Sequence, residues 1–333
     1  MSGAAGRRAA RLLGGTVLGG AAVLAWSLVE ARSPVLRRTS VAVLPPGQAP
    51  LRLLHLSDLH LTPRSTGERD WVAGLAALAP DLTVVTGDML AHQQAVPVVL
   101  EALGGLLDGP GAFVLGSNDY LAPRPRNPLR YLSGPSRVAG EVEHLPTGDL
   151  VAGLTGVGWT DLTNTRASLD VRGRSVRLVG VDDPHVGRDR MPAPEARGRH
   201  GAPAPAADLR LGVTHAPYRR VLDAMADDGS DLVLAGHTHG GQVCVPGVGA
   251  LVTNCDLPRR YAKGLFAWAS SSGPSSSAPS SSSATPTSRP VDGFTGPASS
   301  WVHVSAGLGT SPYTPVRLAC RPEATLLTLV PRP

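Results

Sequence analysis

Short apolar runs bounded by polar and glycine-containing turns recur along this chain, and they read as strands. Leu51–Leu56, Leu82–Thr86 and residues 112–115 and 231–235 each have the length of a buried strand. Segments 68–79 and 96–107 lie among them with apolar residues at helical spacing, and are expected to be amphipathic helices. Residues 151–181 and 243–252 look richer in strands, and residues 301–305 and 324–330 supply the last two. This order predicts an α/β fold, a sandwich of two mixed β-sheets flanked by helices. No internal repeat interrupts it.

Two segments break the pattern. Residues 192–207 are Pro/Ala-rich and residues 270–300 Ser/Pro-rich. The first is expected as a surface loop, and the second cannot bury enough apolar surface to order itself and is expected as a surface insert.

The N-terminus has its own signal. Arg7, Arg8 and Arg11 precede an uncharged run of 18 residues, Leu12 to Val29, at the lower limit for a membrane span. Residues 1–30 are therefore expected to be a cytoplasmic tip and an uncleaved signal anchor. That makes a single-pass protein of the cell membrane with its main domain outside the cytoplasm. Four glycines in the run leave a cleaved signal peptide open. Arg32, Arg37 and Arg38 balance the arginines before the run, so charge counting does not decide orientation. Residues 31–50, with Pro45-Pro46-Gly47, read as a linker, and residues 51–330 as one domain.

Composition narrows the partners. Net charge is +5, but Lys263 is the only lysine, no cluster of five basic residues occurs, and aromatics are 4%. A nucleic-acid partner is not expected. Cys244, Cys255 and Cys320 form no metal motif and are expected as buried thiols. Should two pair, Cys244 and Cys255 are the nearer in sequence.

The candidate chemistry sits just after the strand-like runs. Asp58-Leu59-His60 follows the first, Gly87-Asp88 the second, Asn118 the third after Gly116-Ser117, and Gly236-His237-Thr238-His239 the fourth. His215 stands alone in Val213-Thr214-His215-Ala216-Pro217. Residues two apart in an extended segment point to one side, so Asp58 and His60, or His237 and His239, can reach one ion. Ligands in open α/β sheets gather at the carboxyl ends of strands. A single His after a strand is more often a core or surface residue, so the joint set carries the argument. Mixed oxygen and nitrogen donors suit Mn, Zn or Fe, and seven are too many for one ion. Asp88, the lone carboxylate between two ligand groups, is the natural bridge. Two ions about 4 Å apart clamp the attacking and leaving oxygens of a phosphate ester.

This order of motifs resembles the calcineurin-like metallophosphoesterases over residues from about 51 to 330. The extended Gly236-His237-Thr238-His239-Gly240-Gly241-Gln242 is similar to the membrane-associated branch, which includes phosphodiesterases and enzymes that cleave UDP-diacylglucosamine. The resemblance implies a metal-dependent phosphoesterase of phosphodiester or diphosphate type, with lipid-linked and nucleotide-sugar substrates as classes to test. It implies that Asp58, His60 and His239 hold one ion and Asn118, His215 and His237 the other, with Asp88 bridging.

One departure matters. The family carries Gly-Asn-His-Asp or Gly-Asn-His-Glu, whereas Asp119 in Gly116-Ser117-Asn118-Asp119-Tyr120 stands at the place of the proton-donating His. An Asp at its ordinary pKa is a poor donor at neutral pH. Three readings follow: Asp119 has a raised pKa, His92 or His185 supplies the proton, or the leaving group needs none. A metal-bound, catalytically weak binding or regulatory protein is the competing class. Lesser candidates are Asp182 and Asp183 near the pocket, His55 in the first strand as a structural residue, and Arg124, Arg126 and Arg130 in a solvated loop.

Overall fold

Alternation along the strands sets the layers. In β2 (Leu51–Leu56), Leu51 and Leu53 join one buried cluster while Leu54 and Leu56 join another. In β3 (Leu82–Thr86), Leu82 and Val84 go one way and Val85 the other. Such strands are covered on both faces, as a pleat requires when both sides are apolar. The computed structural model describes residues 18–123, 143–194, 207–270, 299–311 and 314–333. Arg124, Arg126 and Arg130 and most of the two low-complexity segments lie outside the described residues.

Two six-stranded mixed sheets face each other. The first runs β1 (Val35–Leu44), β14 (Glu323–Pro331), β2, β3, β4 (Gly111–Val114), β5 (Thr160–Asp161). The second runs β12 (Gly264–Ala269), β13 (Ser299–Val304), β9 (Leu232–Ala235), β8 (Leu209–Val213), β7 (Ser175–Gly180), β6 (Arg166–Asp170), while β10 (Cys244–Val245) and β11 (Gly249–Ala250) pair antiparallel by themselves. Val41, Leu53, Val84 and Val114 of the first meet Val176, Leu211 and Leu234 of the second in one core. Helices α2 (Thr66–Gly74), α3 (Val96–Leu103) and α5 (Thr147–Gly156) cover the outer face of the first sheet. Helix α6 (Arg219–Asp227) covers the second through Val221, Leu222 and Met225.

The inter-sheet core has a polar bolt. His55 of β2 and His303 of β13 bring their Nδ1 atoms to 2.8 Å, and His55 Nε2 lies 3.0 Å from Thr86 Oγ1. Burial pushes the His55 imidazole well below its usual pKa and that of His303 down to about 4, so both are neutral at pH 7.

Two segments differ from the sequence reading. Residues 35–44, read as linker, form β1, paired in parallel with β14 through most of its length. Its apolar residues Val41, Val43 and Leu44 are buried, and its partner is formed by the far end of the chain. The stretch 151–181, read as strand-rich, begins inside α5, where Leu150 and Leu154 pack on the first sheet. At the N-terminus, residues 18–30 form a helix, α1. No helix among the described residues is long and apolar enough to cross a membrane. The expected 12–29 span lies partly outside the described residues.

Candidate metal centre

All the singled-out ligand residues lie where strands of both sheets end. Asp58 and His60 follow β2, Asp88 follows β3, His215 follows β8 and His237 and His239 follow β9. Asn118 lies in the single turn α4 (Ser117–Tyr120) after β4. The backbone there is not extended. Asp58, His60, Asp88, His237 and His239 all have φ between +44° and +67°. The side chains of Asp58 and His60 therefore share a side through paired left-handed turns and not through strand alternation. Each such residue is strained, and strain of this kind concentrates at functional sites.

Glycines make room for the convergence. A Cβ on Gly116 would lie 2.3 Å from Asp88 Oδ1 and 2.8 Å from His215 Cε1. One on Gly236 would meet Ser57 and Asp58 Oδ2, and one on Gly307 would lie 2.6 Å from Asp58 Cβ.

Asp88 stands at the centre. Its Oδ2 is 3.6 Å from His60 Nε2, 3.5 Å from His215 Nε2 and 2.7 Å from Asn118 Nδ2. His60 Nε2 and His239 Nε2 approach to 3.2 Å, and His239 Nε2 lies 3.6 Å from Asp58 Oδ1. His237 Nδ1 is 3.3 Å from His215 Nε2, and its backbone N–H donates to the Asp58 carboxylate. Backbone groups orient the rings: His215 Nδ1 bonds the Thr86 carbonyl and His237 Nε2 the Asn254 carbonyl. The other nitrogen of each ring is left facing inward, the arrangement that metal-ligating imidazoles need.

The electrostatics fit a cation. Burial, with neighbouring imidazoles, holds the His237 and His239 rings well below their usual pKa, so they are neutral donors. Burial opposes ionisation of Asp88, but His215 and His60 outweigh it and bring its pKa down to about 2. Burial likewise opposes charge on His215, yet Asp88, Asp183 and Asp58 lift it to about 10. Negative charge on Asp88 is thus held in a dry site among imidazoles. Asp58, His60 and His239 form one group whose ligand atoms lie within 4.8 Å of one another, and Asp58, Asp88 and His215 form a second. Asp58 belongs to both, which its place after a single strand did not reveal.

Asp119 is bound to the backbone of the Asp88 loop. It is fully buried, and its two oxygens accept the backbone N–H groups of Asp88, Met89, Leu90 and Gly116 at 2.7 to 3.0 Å. Burial and the Asp88 charge raise its pKa to about 7 against those donors. His92 is exposed, with Nδ1 accepting from the Gln94 N–H. His185 is half-buried, its ring centroid 4.5 Å from that of His237 and its Nδ1 3.1 Å from the Tyr218 hydroxyl. Asp182 accepts from Tyr120 and from Arg188, whose guanidinium stacks 4.0 Å over the Tyr120 ring. Asp183 caps the turn that carries His185.

Sequence reading missed Ser57, Tyr218, Asn254, the turn 305–309 and Arg317. Only that turn had a signal: Ser305-Ala306-Gly307 follows an apolar strand, as the ligand loops do. Of the cysteines, Cys244 lies against Cys320, both on the Gly240 carbonyl, and Cys255 is elsewhere; all three are free thiols.

These features define a class. The family model described as calcineurin-like phosphoesterase matches residues 51–241, more than half of the chain, and the protein belongs to that family. It is a phosphoric ester hydrolase of the metallophosphoesterase type. Among individual proteins, it is similar to phosphodiesterase YaeI of Escherichia coli, 27% identical over 300 residues, covering 88% of this chain and 87% of that one. It is also 27% identical over 205 residues to the uncharacterised metallophosphoesterase YkoQ of Bacillus subtilis, covering 60% of this chain and 65% of YkoQ. Among solved structures, the phosphopantetheinyl hydrolase PptH of Mycobacterium tuberculosis aligns with a TM-score of 0.32 at 14% identity, covering 59% of this chain and 83% of PptH.

Proposed function

We propose that the protein hydrolyses phosphodiesters or diphosphates with two divalent ions, Mn, Zn or Fe. Asp58, His60 and His239 hold one, Asn118, His215 and His237 the other, with Asp88 between them. The observation that carries this reading is the convergence of His60, His215 and Asn118 on one oxygen of Asp88. Ions held there would supply Lewis acidity toward the phosphoryl oxygens and a water of lowered pKa. Asn118 presents its amide 2.7 Å from Asp88, and a turn about χ2 exchanges its nitrogen for the oxygen a cation prefers.

Asp119 is the clamp that folds the Asp88 loop, and not the proton donor. That role falls to His185, whose half-buried ring packs on His237 and is steadied by Tyr218. A phosphodiester substrate is supported by the name of the E. coli relative. A lipid-linked substrate is supported by α1, which exposes Leu18, Val23, Leu24, Trp26, Leu28 and Val29. An apolar helix without a protein cover belongs in a bilayer, and we assign it to the membrane anchor, with the domain outside the cytoplasm.

The test is metal-stripped full-length protein reloaded with Mn²⁺ and offered an aryl diester, an alkyl diester, a diphosphate and a monoester. Turnover should return with metal, favour diesters or diphosphate, and vanish in Asp88→Ala. His185→Gln should lower kcat on the alkyl diester at least tenfold and spare the aryl diester, whose leaving group departs as an anion. A preference for the monoester, or equal losses on both diesters, would count against these assignments.

A further inference from the structure

Arg317 is the largest fully buried side chain of the described protein. It lies in the connection that leads into β14, far in sequence from every ligand. Its guanidinium gathers three segments. Nη1 donates to the carbonyls of His239 at 3.4 Å and Cys320 at 3.3 Å. Nη2 donates to Ala306 at 2.8 Å, Gly307 at 3.1 Å and Gly309, and lies 3.3 Å from His239 Nδ1.

The turn 305–309 in turn forms the wall behind Asp58 and His60. Leu308 N–H donates to the Ser57 carbonyl and Gly309 N–H to that of Asp58. A Cβ on Gly309 would lie 2.8 Å from His60 Cβ. So the carbonyls that Arg317 collects, Cys320 of its own strap apart, belong to the His239 loop and to the wall that seats Asp58 and His60. The hydrogen bonds that orient His215, His237 and the shared Asp88 come from elsewhere: the Thr86 carbonyl, the Asn254 carbonyl and the Asn118 amide in turn.

A positive charge beside a cation site repels the ion, so attraction cannot be the reason for this residue. What the guanidinium offers is a rigid planar fork of five donors. The strap that carries it is fastened to α1. Arg317 N–H donates to the Ser27 carbonyl, and the Glu30 carboxylate accepts from the N–H groups of Ala319 and Cys320 at 3.0 and 2.7 Å.

We propose that Arg317 is a positioning residue for the Asp58, His60 and His239 half of the site alone, held in register by Glu30 at the end of α1. The inference rests on the two-ion reading above. The last turn of the N-terminal helix is thereby linked, through one strap, to one of two ion positions.

The experiment counts Mn²⁺ bound at equilibrium dialysis over a range of free Mn²⁺, using full-length protein. The unaltered protein should bind two ions per chain; fewer would sink the two-ion reading itself. Arg317→Lys keeps the charge without the fork, and Arg317→Met removes both. Each should weaken one of the two ions at least tenfold and leave the other within about twofold, with the coupled two-ion Mn²⁺ paramagnetic resonance signal lost. Glu30→Gln should move the same ion in the same direction by a smaller factor, with the melting temperature of the metal-free protein preserved. Three results would overturn the proposal: tighter binding in Arg317→Met, which would mean the residue acts through charge; equal weakening of both ions, which would mean a general structural role; or two unchanged ions in Arg317→Lys. Should the Arg317 variants not fold, Glu30→Gln decides, and unchanged affinities there overturn it.

Discussion

Asp119 shows how one carboxylate can be spent on backbone. The Asp88 loop turns sharply after β3, with Gly87 at φ +85° and Asp88 at +53°, and its N–H groups point inward with no strand to receive them. Asp119 satisfies three of them and one more at Gly116. An amide in its place would turn an N–H₂ toward those donors. Leaving buried donors unsatisfied costs about 1–3 kcal/mol each, so Asp119→Asn is expected to lose roughly 2–4 kcal/mol of stability and most of its metal. Turnover should fall equally on alkyl and aryl diesters. Urea unfolding together with kcat/KM on both esters checks this; a selective loss on the alkyl ester would return Asp119 to the role of acid.

Among elements, the sheet pair is closed by chemistry as well as by packing. His55 on β2 and His303 on β13 meet across the core as neutral rings. Their folded pKa values lie below the unfolded 6.5, so the unfolded chain binds more protons as pH falls. The stability they contribute is present above about pH 6.5 and is lost as pH falls toward 4. For His303 the drop from 6.5 to about 4 corresponds, at 1.36 kcal/mol per unit, to about 3 kcal/mol. Urea midpoints should therefore fall between pH 7 and 5. His303→Leu, in which no imidazole is left to protonate at that position, should fall less steeply than the unaltered protein. Equal slopes would show that other groups govern acid unfolding.

For the whole molecule, the N-terminal segment is held unequally: β1 is paired along most of its length, and α1 is held at its end through Ser27 and Glu30. β1 closes the edge of the first sheet against β14. Immediately before it, α1 leaves Leu18 73% and Trp26 61% exposed while burying only Ser27 and Glu30 against the strap. We expect the full chain to float with phospholipid vesicles in a density gradient and a chain beginning at Pro34 to remain at the bottom, still folded because β1 is intact. Flotation of the shortened chain would place the lipid-binding surface on the domain.

The candidate ligands and their order were legible in the sequence because most of them follow an apolar run, and the strand pattern is a local property. So were the α/β class, the strands β2, β3, β4, β9, β13 and β14, and the two helices that follow β2 and β3. β1 was not, since its partner strand comes from the opposite end of the chain and only that pairing makes residues 35–44 a strand. The left-handed turns at five ligands were hidden for the same reason. A strained φ is maintained by surrounding contacts, and strand alternation happened to imply the same sidedness. Asp119 and Arg317 marked the limit most clearly. One looked like a misplaced acid and the other like any arginine, until tertiary structure brought the Asp88 loop to the first and the His239 loop with the wall of Asp58 and His60 to the second. Residue type and spacing determine which groups can bind a cation. Which groups hold those ligands in place depends on contacts between segments distant in sequence, and those exist only once both sheets have met.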